Sequence, residues 1–172
     1  MTTETFLQTN ASTGNPKEIT PIVTSAGVGD AGKIPATDST GRLDKTVMPV
    51  GVTPEVTAFT ASEDIGAGDW VNLHLVTTTL SGRLADCSNG RQADGFVLSA
   101  VANGAAGTLY RESNKNTARS GLTKAAKYFL STAGGQSTSI PAAGAGVIIQ
   151  SLGVAESATE IVFEKGDIIE RG

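Results

Sequence analysis

One segment occurs twice in this chain, first as Val101-Ala102-Asn103-Gly104-Ala105-Ala106-Gly107-Thr108-Leu109-Tyr110-Arg111 and again as Val154-Ala155-Glu156-Ser157-Ala158-Thr159-Glu160-Ile161-Val162-Phe163-Glu164. Each copy is an apolar β-type run, a turn of small residues and a second β-type run. An aromatic-led segment precedes each copy, at residues 69–73 and 127–131. The C-terminal two thirds therefore indicate a duplicated β unit. Because such a repeat assigns much of a chain to scaffold, it predicts a structural or binding protein.

The repeat lies within a longer series of β-type runs that begins at residue 55. Turns rich in Gly, Asn, Asp and Ser separate the runs, which we predict as strands at residues 56–60, 70–78, 95–101, 108–112, 128–131, 147–154, 160–164 and 168–170. One short helix is predicted at residues 120–128. Many short strands at close spacing predict an all-β fold, a small barrel or sandwich, since an open sheet would leave exposed edges.

The first 54 residues differ in composition from the rest of the chain. Five of the six prolines lie there, together with a single aromatic residue, Phe6. Proline fixes φ and removes a backbone donor, which disfavours a helix or a central strand. We therefore predict an extended N-terminal arm at residues 1–54 and a β-barrel or sandwich body at residues 55–172. Apolar residues recur along the arm and predict that it orders against its own body or a neighbour: Ile19, Ile22, Val23, Ile34, Leu43, Val47, Met48, Val50 and Val52.

Composition disfavours several classes of function. The net charge is −4 and no run of Lys and Arg occurs, whereas a nucleic-acid binder needs a clustered basic face. The single cysteine, Cys87, cannot form an internal disulfide, which is typical of a reducing compartment. No apolar run approaches the roughly 20 residues of a membrane span. We expect a soluble protein without an export signal, a nucleic-acid partner or a membrane partner.

Residues with catalytic or metal-binding potential are few. His74 is the only histidine and is predicted to face outward from a strand, where it lacks metal-ligand partners. Cys87 is predicted to be an inert small hydrophobe, although Arg83 and Arg91 are close in sequence. A serine nucleophile would need a base, and no serine can be paired with His74 from sequence. The sequence thus predicts no catalytic residues, no metal site and no cofactor, and we expect that the protein is not an enzyme.

Glycine-containing motifs have a structural interpretation. Residues 27–32 match the G-x-G-x-x-G pattern of dinucleotide-binding proteins, but Pro35 follows too soon for the required helix. Acidic residues flank two glycine turns and resemble calcium loops, without the alternating ligand pattern of a true one: Asp38 and Asp44 in the arm, and Glu63, Asp64 and Asp69 in the body. Acids in such turns usually accept hydrogen bonds from the local backbone.

Two further stretches carry a resemblance to virion proteins of tailed bacteriophages. Gly29-Asp30-Ala31-Gly32-Lys33-Ile34-Pro35-Ala36-Thr37-Asp38-Ser39-Thr40-Gly41-Arg42-Leu43-Asp44-Lys45-Thr46-Val47-Met48-Pro49-Val50-Gly51 is similar to a linker of head decoration proteins and some fibres. Gly121-Leu122-Thr123-Lys124-Ala125-Ala126-Lys127-Tyr128-Phe129-Leu130-Ser131 is similar to a strand-turn unit of small β modules. The duplicated body resembles capsid decoration, or cement, proteins. A fibre would show long repeats or a coiled-coil stem, and their absence here favours the head.

This resemblance implies a structural protein that binds the outer surface of a phage capsid and bridges neighbouring subunits. Its implied partners are the major capsid protein and further copies of itself, with a trimer favoured, on virions assembled in the host cytoplasm. Within the arm, we predict Ile34, Leu43, Val47 and Met48 as capsid or subunit contacts; alternatively, they only cover the surface of the body. The alternative function is a tail fibre or baseplate module that binds a host receptor or carbohydrate through Trp70 or Tyr110, although both are predicted to lie in the core.

Overall fold

The structure, a computed structural model, describes residues 5–48 and 54–171. Contacts within the chain divide it into two units, Met1–Thr53 and Pro54–Gly172. In the described part of the chain, no helix is long and apolar enough to cross a membrane.

The predicted all-β fold is confirmed. In the first unit, the described residues form β1 (Phe6–Thr9) and β2 (Pro16–Ile19). The second unit contains β3 (Val56–Ala61), β4 (Trp70–Val76), β5 (Thr79–Leu84), β6 (Gly95–Phe96), β7 (Ala106–Tyr110), β8 (Lys115–Asn116), β9 (Lys127–Leu130), β10 (Gln136–Ser137), β11 (Val147–Val154), β12 (Ile161–Val162) and β13 (Ile168–Arg171). Within residues 5–48 and 54–171, the only helical elements are three short 3₁₀ turns, at Val28–Asp30, Lys45–Val47 and Cys87–Asn89.

The first half of the second unit is a closed barrel with the strand order β3-β5-β4-β6-β7. β3 closes it by pairing antiparallel with β7 and parallel with β5. The interior is apolar, and the Phe59 ring lies among glycines: a Cβ atom on Gly82 would be 2.4 Å from this ring, and one on Gly107 would be 2.6 Å from it. These two glycines thus provide the space for Phe59. The barrel core consists of Phe59, Ala61, Ile65, Val71, Val97, Val101 and Leu109.

The second half of this unit repeats part of the strand pairing of the first. β9 lies between β10 and β11, as β4 lies between β5 and β6, and β12 pairs antiparallel with β8, as β7 does with β3. The two halves differ in how their outer strands pair. In the described residues, β8 does not pair with β10 as β3 pairs with β5. The neighbour of β11 in its sheet is β13, whereas the corresponding strand β6 pairs with β7.

A segment of the first half packs into the second half. The amide of Trp70 donates to the carbonyl of Gly134 (3.1 Å), and the Asn116 side chain donates to the carbonyl of Gly68 (2.8 Å). The Trp70 ring lies 5.6 Å from that of Phe96 and 5.1 Å from that of Phe163. Both halves therefore share one core, formed by Trp70, Ala85, Cys87, Ala93, Phe96, Leu122, Tyr128, Leu130, Ile148, Leu152, Ala155, Ile161 and Phe163.

Several local predictions were wrong. Residues 120–128 form turns that lead into β9 instead of a helix. Ala125 has a positive φ of 64°, which a right-handed helix does not allow. The amides of Leu122 and Ala125 donate to the carbonyls of Ala158 and Ala155, so they are not available for the bonds of a helical turn. Strands β5, β8 and β10 were not predicted, and β6 and β12 are shorter than predicted. The arm is not simply extended, because β1 and β2 form an antiparallel hairpin.

Candidate binding surface

The arm contains no core of its own in the described residues. No side chain between residues 5 and 48 is buried. Backbone bonds hold its conformation: the amide of Ile22 donates to the carbonyl of Ile34 (2.9 Å), and the amide of Ala36 donates to the carbonyl of Ile22 (2.8 Å). The amide of Ser25 donates to the Thr46 hydroxyl at 2.8 Å, which joins distant parts of the arm. The apolar side chains of this unit are thus left at the surface.

Acidic side chains fix the turns of the arm, as predicted. Asp38 accepts bonds from the amide and hydroxyl of Thr40, and Asp44 accepts the same two bonds from Thr46. These bonds lower the pKa of both carboxyls, and the bond from the hydroxyl has the largest effect. In the G-x-G-x-x-G segment, Asp30 accepts from the amide of Ala26 and from Lys33, and a 3₁₀ turn stands where a dinucleotide site needs a helix. These acids are structural turn residues.

The four predicted contact residues fall into two pairs. Val47 and Met48 are half-buried and line a cleft of about 380 Å³. Ile34 and Leu43 lie outside the lining of this cleft and are 38% and 45% exposed. The structure therefore brings Val47 and Met48 together and leaves Ile34 and Leu43 on the open surface. Their role as contacts stays a prediction.

Sequence reasoning missed the most exposed apolar residues of the arm. Val28 is 94% exposed and Leu7 is 74% exposed. Both are more exposed than the predicted residues Ile34 and Leu43. Val28 lies inside the G-x-G-x-x-G motif at residues 27–32. Because exposed apolar patches mark interaction sites, these side chains are candidates for contact with a second surface.

The acids of the second unit also have structural roles. Glu63 accepts a bond from the amide of Leu84 (2.6 Å), and Asp64 accepts one from the amide of Asn103 (2.8 Å). Asp69 accepts from the amide of Gly66 and lies 3.4 Å from Arg119. Burial raises the pKa of Asp69, and these two contacts oppose the rise. The three carboxylates thus accept bonds from the protein itself.

His74 lies next to Ser62, a pairing that sequence reasoning did not find. The His74 Nε2 atom is 3.4 Å from the Ser62 hydroxyl, which also donates to the carbonyl of Gly82 (3.1 Å). A serine nucleophile requires a histidine whose second nitrogen is oriented by a third group. In the described residues, His74 Nδ1 is buried and has no hydrogen-bond partner. The pair therefore lacks the arrangement of a catalytic triad.

The lowered pKa of His74 predicts that the protein loses stability in mild acid. Burial lowers the pKa of His74, and Arg83 and Arg91 lower it further, while Glu63 opposes them. Because the unfolded histidine titrates near pH 6.5, the unfolded state binds the proton more readily below that pH. The stability contributed by neutral His74 is complete above pH 6.5 and falls as the pH approaches the lowered folded pKa.

We expect His74→Gln to lose less thermal stability between pH 7.5 and pH 5.5 than the natural protein. Melting curves followed by circular dichroism at both pH values measure this difference. Asp38 and Asp44 have a lowered pKa in both proteins, so their contribution to the pH dependence is the same in each. If both proteins show the same pH dependence, the acid sensitivity does not come from His74.

Cys87 and Trp70 lie in the protein interior, and Tyr110, the other candidate sugar-binding aromatic, is half-buried. Cys87 is buried, and burial followed by the neighbouring Asp86 raises the pKa of its thiol, in agreement with an inert side chain. Trp70 is fully buried, as predicted. Tyr110 is half-buried and stacks on Phe96 at 5.6 Å between ring centroids. Neither aromatic forms an exposed platform.

The fold and surface can be compared with known proteins. The chain matches no family model and no curated protein sequence. Among solved structures, it is similar to the N base of the head fiber gp8.5 of bacteriophage phi29, with 9% sequence identity and a TM-score of 0.47. The match covers 69% of this chain and 100% of that one. At this identity and TM-score, the likeness supports no conclusion about function.

Proposed function

We propose that this protein is a head decoration protein of a tailed bacteriophage, which binds the outer capsid surface and bridges neighbouring capsid subunits. The observation that carries the proposal is an arm with exposed apolar side chains and no buried residue between positions 5 and 48. The sequence resemblance at residues 29–51, within the same arm, supports the proposal independently.

The two units suit this role in different ways. The second unit has its own apolar cores and requires no partner to bury them. The arm has apolar side chains and ordered turns but requires a second surface to bury them. A body of fixed shape with an arm that reaches a neighbour can contact two capsid subunits at once. Because such contacts act together, each one can be weak while the complex is stable.

The alternative, a carbohydrate-binding module of a fibre or baseplate, finds less support. It depends on Trp70 or Tyr110 as an exposed stacking platform. Trp70 is fully buried and Tyr110 stacks within the protein. A screen of the protein against a glycan array would support this alternative if it gave specific binding.

The proposal predicts that substitutions in the arm weaken capsid binding. Full burial of a Leu or Ile side chain contributes about 1.5–3 kcal/mol, and 1.4 kcal/mol is tenfold in affinity. We expect the double variant Ile34→Ser/Leu43→Ser to bind undecorated heads at least about tenfold more weakly. Occupancy is measured by sedimentation of heads with increasing amounts of protein.

A matched control separates the arm from general loss of apolar surface. Ile140 is exposed and lies in the second unit, so Ile140→Ser should bind as the natural protein does. A variant lacking residues 1–45 should retain the melting temperature of the body and lose its occupancy. Full occupancy of that variant would refute the role of the arm, and no binding by the natural protein would refute the proposed function.

A further inference from the structure

The sequence contains two Asn-Gly pairs, Asn89-Gly90 and Asn103-Gly104. Both asparagines are exposed. In such a pair, the backbone nitrogen of the glycine can attack the side-chain carbonyl carbon of the asparagine, because glycine has no Cβ atom that obstructs the approach. The two pairs have the same intrinsic chemistry, so their surroundings decide where the reaction proceeds.

The turn at Asn103-Gly104 is bound to the start of the barrel. The amide of Gly104 donates to the carbonyl of Ala61 (2.8 Å), and the amide of Asn103 donates to the Asp64 carboxylate (2.8 Å). The carbonyl of Ala105 accepts from the amide of Ala61 (2.9 Å). The Gly104 nitrogen, which would have to attack, is therefore held in a hydrogen bond, and attack requires this bond to break.

The Gly90 nitrogen is not held in this way. Gly90 ends the 3₁₀ turn at Cys87–Asn89 with a φ of 72°, and within residues 5–48 and 54–171 its amide has no hydrogen-bond acceptor. The amide of Arg91 donates to the Asn89 Oδ1 atom at 3.3 Å. Attack on the Asn89 Cγ atom places negative charge on this oxygen, and a donor that faces it stabilises that charge. Asn89 therefore combines an unbound nucleophile with a bonded carbonyl oxygen.

We propose that Asn89 is a site of spontaneous deamidation, for which the chain supplies the nucleophile and water is the co-reactant. The Gly90 nitrogen loses its proton to hydroxide and bonds to the Asn89 Cγ atom. The bond from Cγ to Nδ2 breaks, and Nδ2 takes a proton from water and leaves as ammonia. Water then opens the succinimide ring at either carbonyl, which yields aspartate or isoaspartate at position 89. This site does not depend on the proposed capsid role.

The reaction changes the loop between Asp86 and Arg91 in charge and in length. The amide of each of these residues donates to the carbonyl of the other, at 2.8 and 3.1 Å, and closes the loop. Cys87 within the loop is buried, and its amide donates to the carbonyl of Ser131 (3.0 Å). Isoaspartate adds a carbon atom to the backbone of this closed loop, and both products add a negative charge. The modified protein is therefore separable from the natural one by charge.

Incubation of the full folded chain at pH 8, followed by peptide mass spectrometry, measures conversion at both asparagines. We expect Asn89 to convert at least about tenfold faster than Asn103, because attack at Asn103 must first break a backbone hydrogen bond. In denaturant, where this bond is absent, the two sites should convert at similar rates. If Asn103 converts as fast as Asn89 in the folded protein, or if Asn89 stays unchanged, the inference is overturned.

Asn89→Gln is the matched control. The longer side chain would have to form a larger and less favoured ring with the Gly90 nitrogen, and the exposed position accommodates it. An acidic species should form on ion exchange from the natural protein, and isoaspartyl methyltransferase should label it. The Asn89→Gln protein, shown to be folded by circular dichroism, should give neither signal on the same timescale. If it forms the acidic species at the natural rate, another residue is responsible and the inference fails.

Discussion

Trp70→Ala should lower the free energy of unfolding by about 3–5 kcal/mol, the range for large aromatic truncations in a core. Trp70 is fully buried and contacts the rings of Phe96 and Phe163, which come from the two halves of the repeat. Its indole N–H donates to the Gln136 side chain at 2.8 Å, so its loss also leaves that acceptor without its bond. Because Trp70 joins both halves, we expect its removal to destabilise the whole second unit.

Trp70→Phe is the matched control for this prediction. It keeps an aromatic ring in the cluster and loses the indole bond and part of the volume. We expect a smaller loss, about 1–2 kcal/mol. Because Trp70 is the only tryptophan, unfolding in denaturant is best followed by circular dichroism. Equal losses for Ala and Phe would show that ring packing contributes little and that the hydrogen bond dominates.

Gly153→Ala should destabilise the second unit by about 4 kcal/mol or prevent its folding. Gly153 has a φ of 125°, which side chains other than glycine rarely adopt. A Cβ atom there would lie 2.1 Å from the carbonyl oxygen of Val162, which cannot move without disturbing the adjacent strand. The pairing of β11 with β9 also shifts register between Ser151 and Gly153, so the glycine forms a bulge. Backbone strain and overlap each contribute about 1–3 kcal/mol.

Gly146→Ala separates these two contributions. Gly146 has a positive φ of 75° and precedes β11, but a Cβ atom there would meet nothing within 4 Å. We expect a loss of about 1–2 kcal/mol from backbone strain alone. Denaturation midpoints and soluble yields of both variants measure the difference. A Gly153→Ala protein as stable as the Gly146→Ala protein would show that the bulge relaxes around the added methyl.

Features set by local interactions were predictable from sequence. The β character of residues 147–154 follows from their apolar run, and β11 has these bounds. The acids at Asp38 and Asp44 bind neighbouring amides two residues ahead, as short polar side chains do in turns. Part of the strand pairing recurs in the two halves that the sequence repeat predicts. The predicted contacts Ile34 and Leu43 are at the surface, and their partner awaits the binding experiment.

Interactions between distant residues decided the rest. Sequence could not show that β3 pairs parallel with β5 to close one half, or that Trp70 enters the core of the other. The predicted helix at residues 120–128 does not form, because Leu122 and Ala125 bond to residues more than 25 positions away. The alternation of apolar and polar residues, the prolines and the turn acids act over only a few residues. The sequence was therefore sufficient to predict an all-β body after a proline-rich arm. Barrel closure, the shared core and the setting of His74 depend on long-range packing, which only the tertiary structure decided.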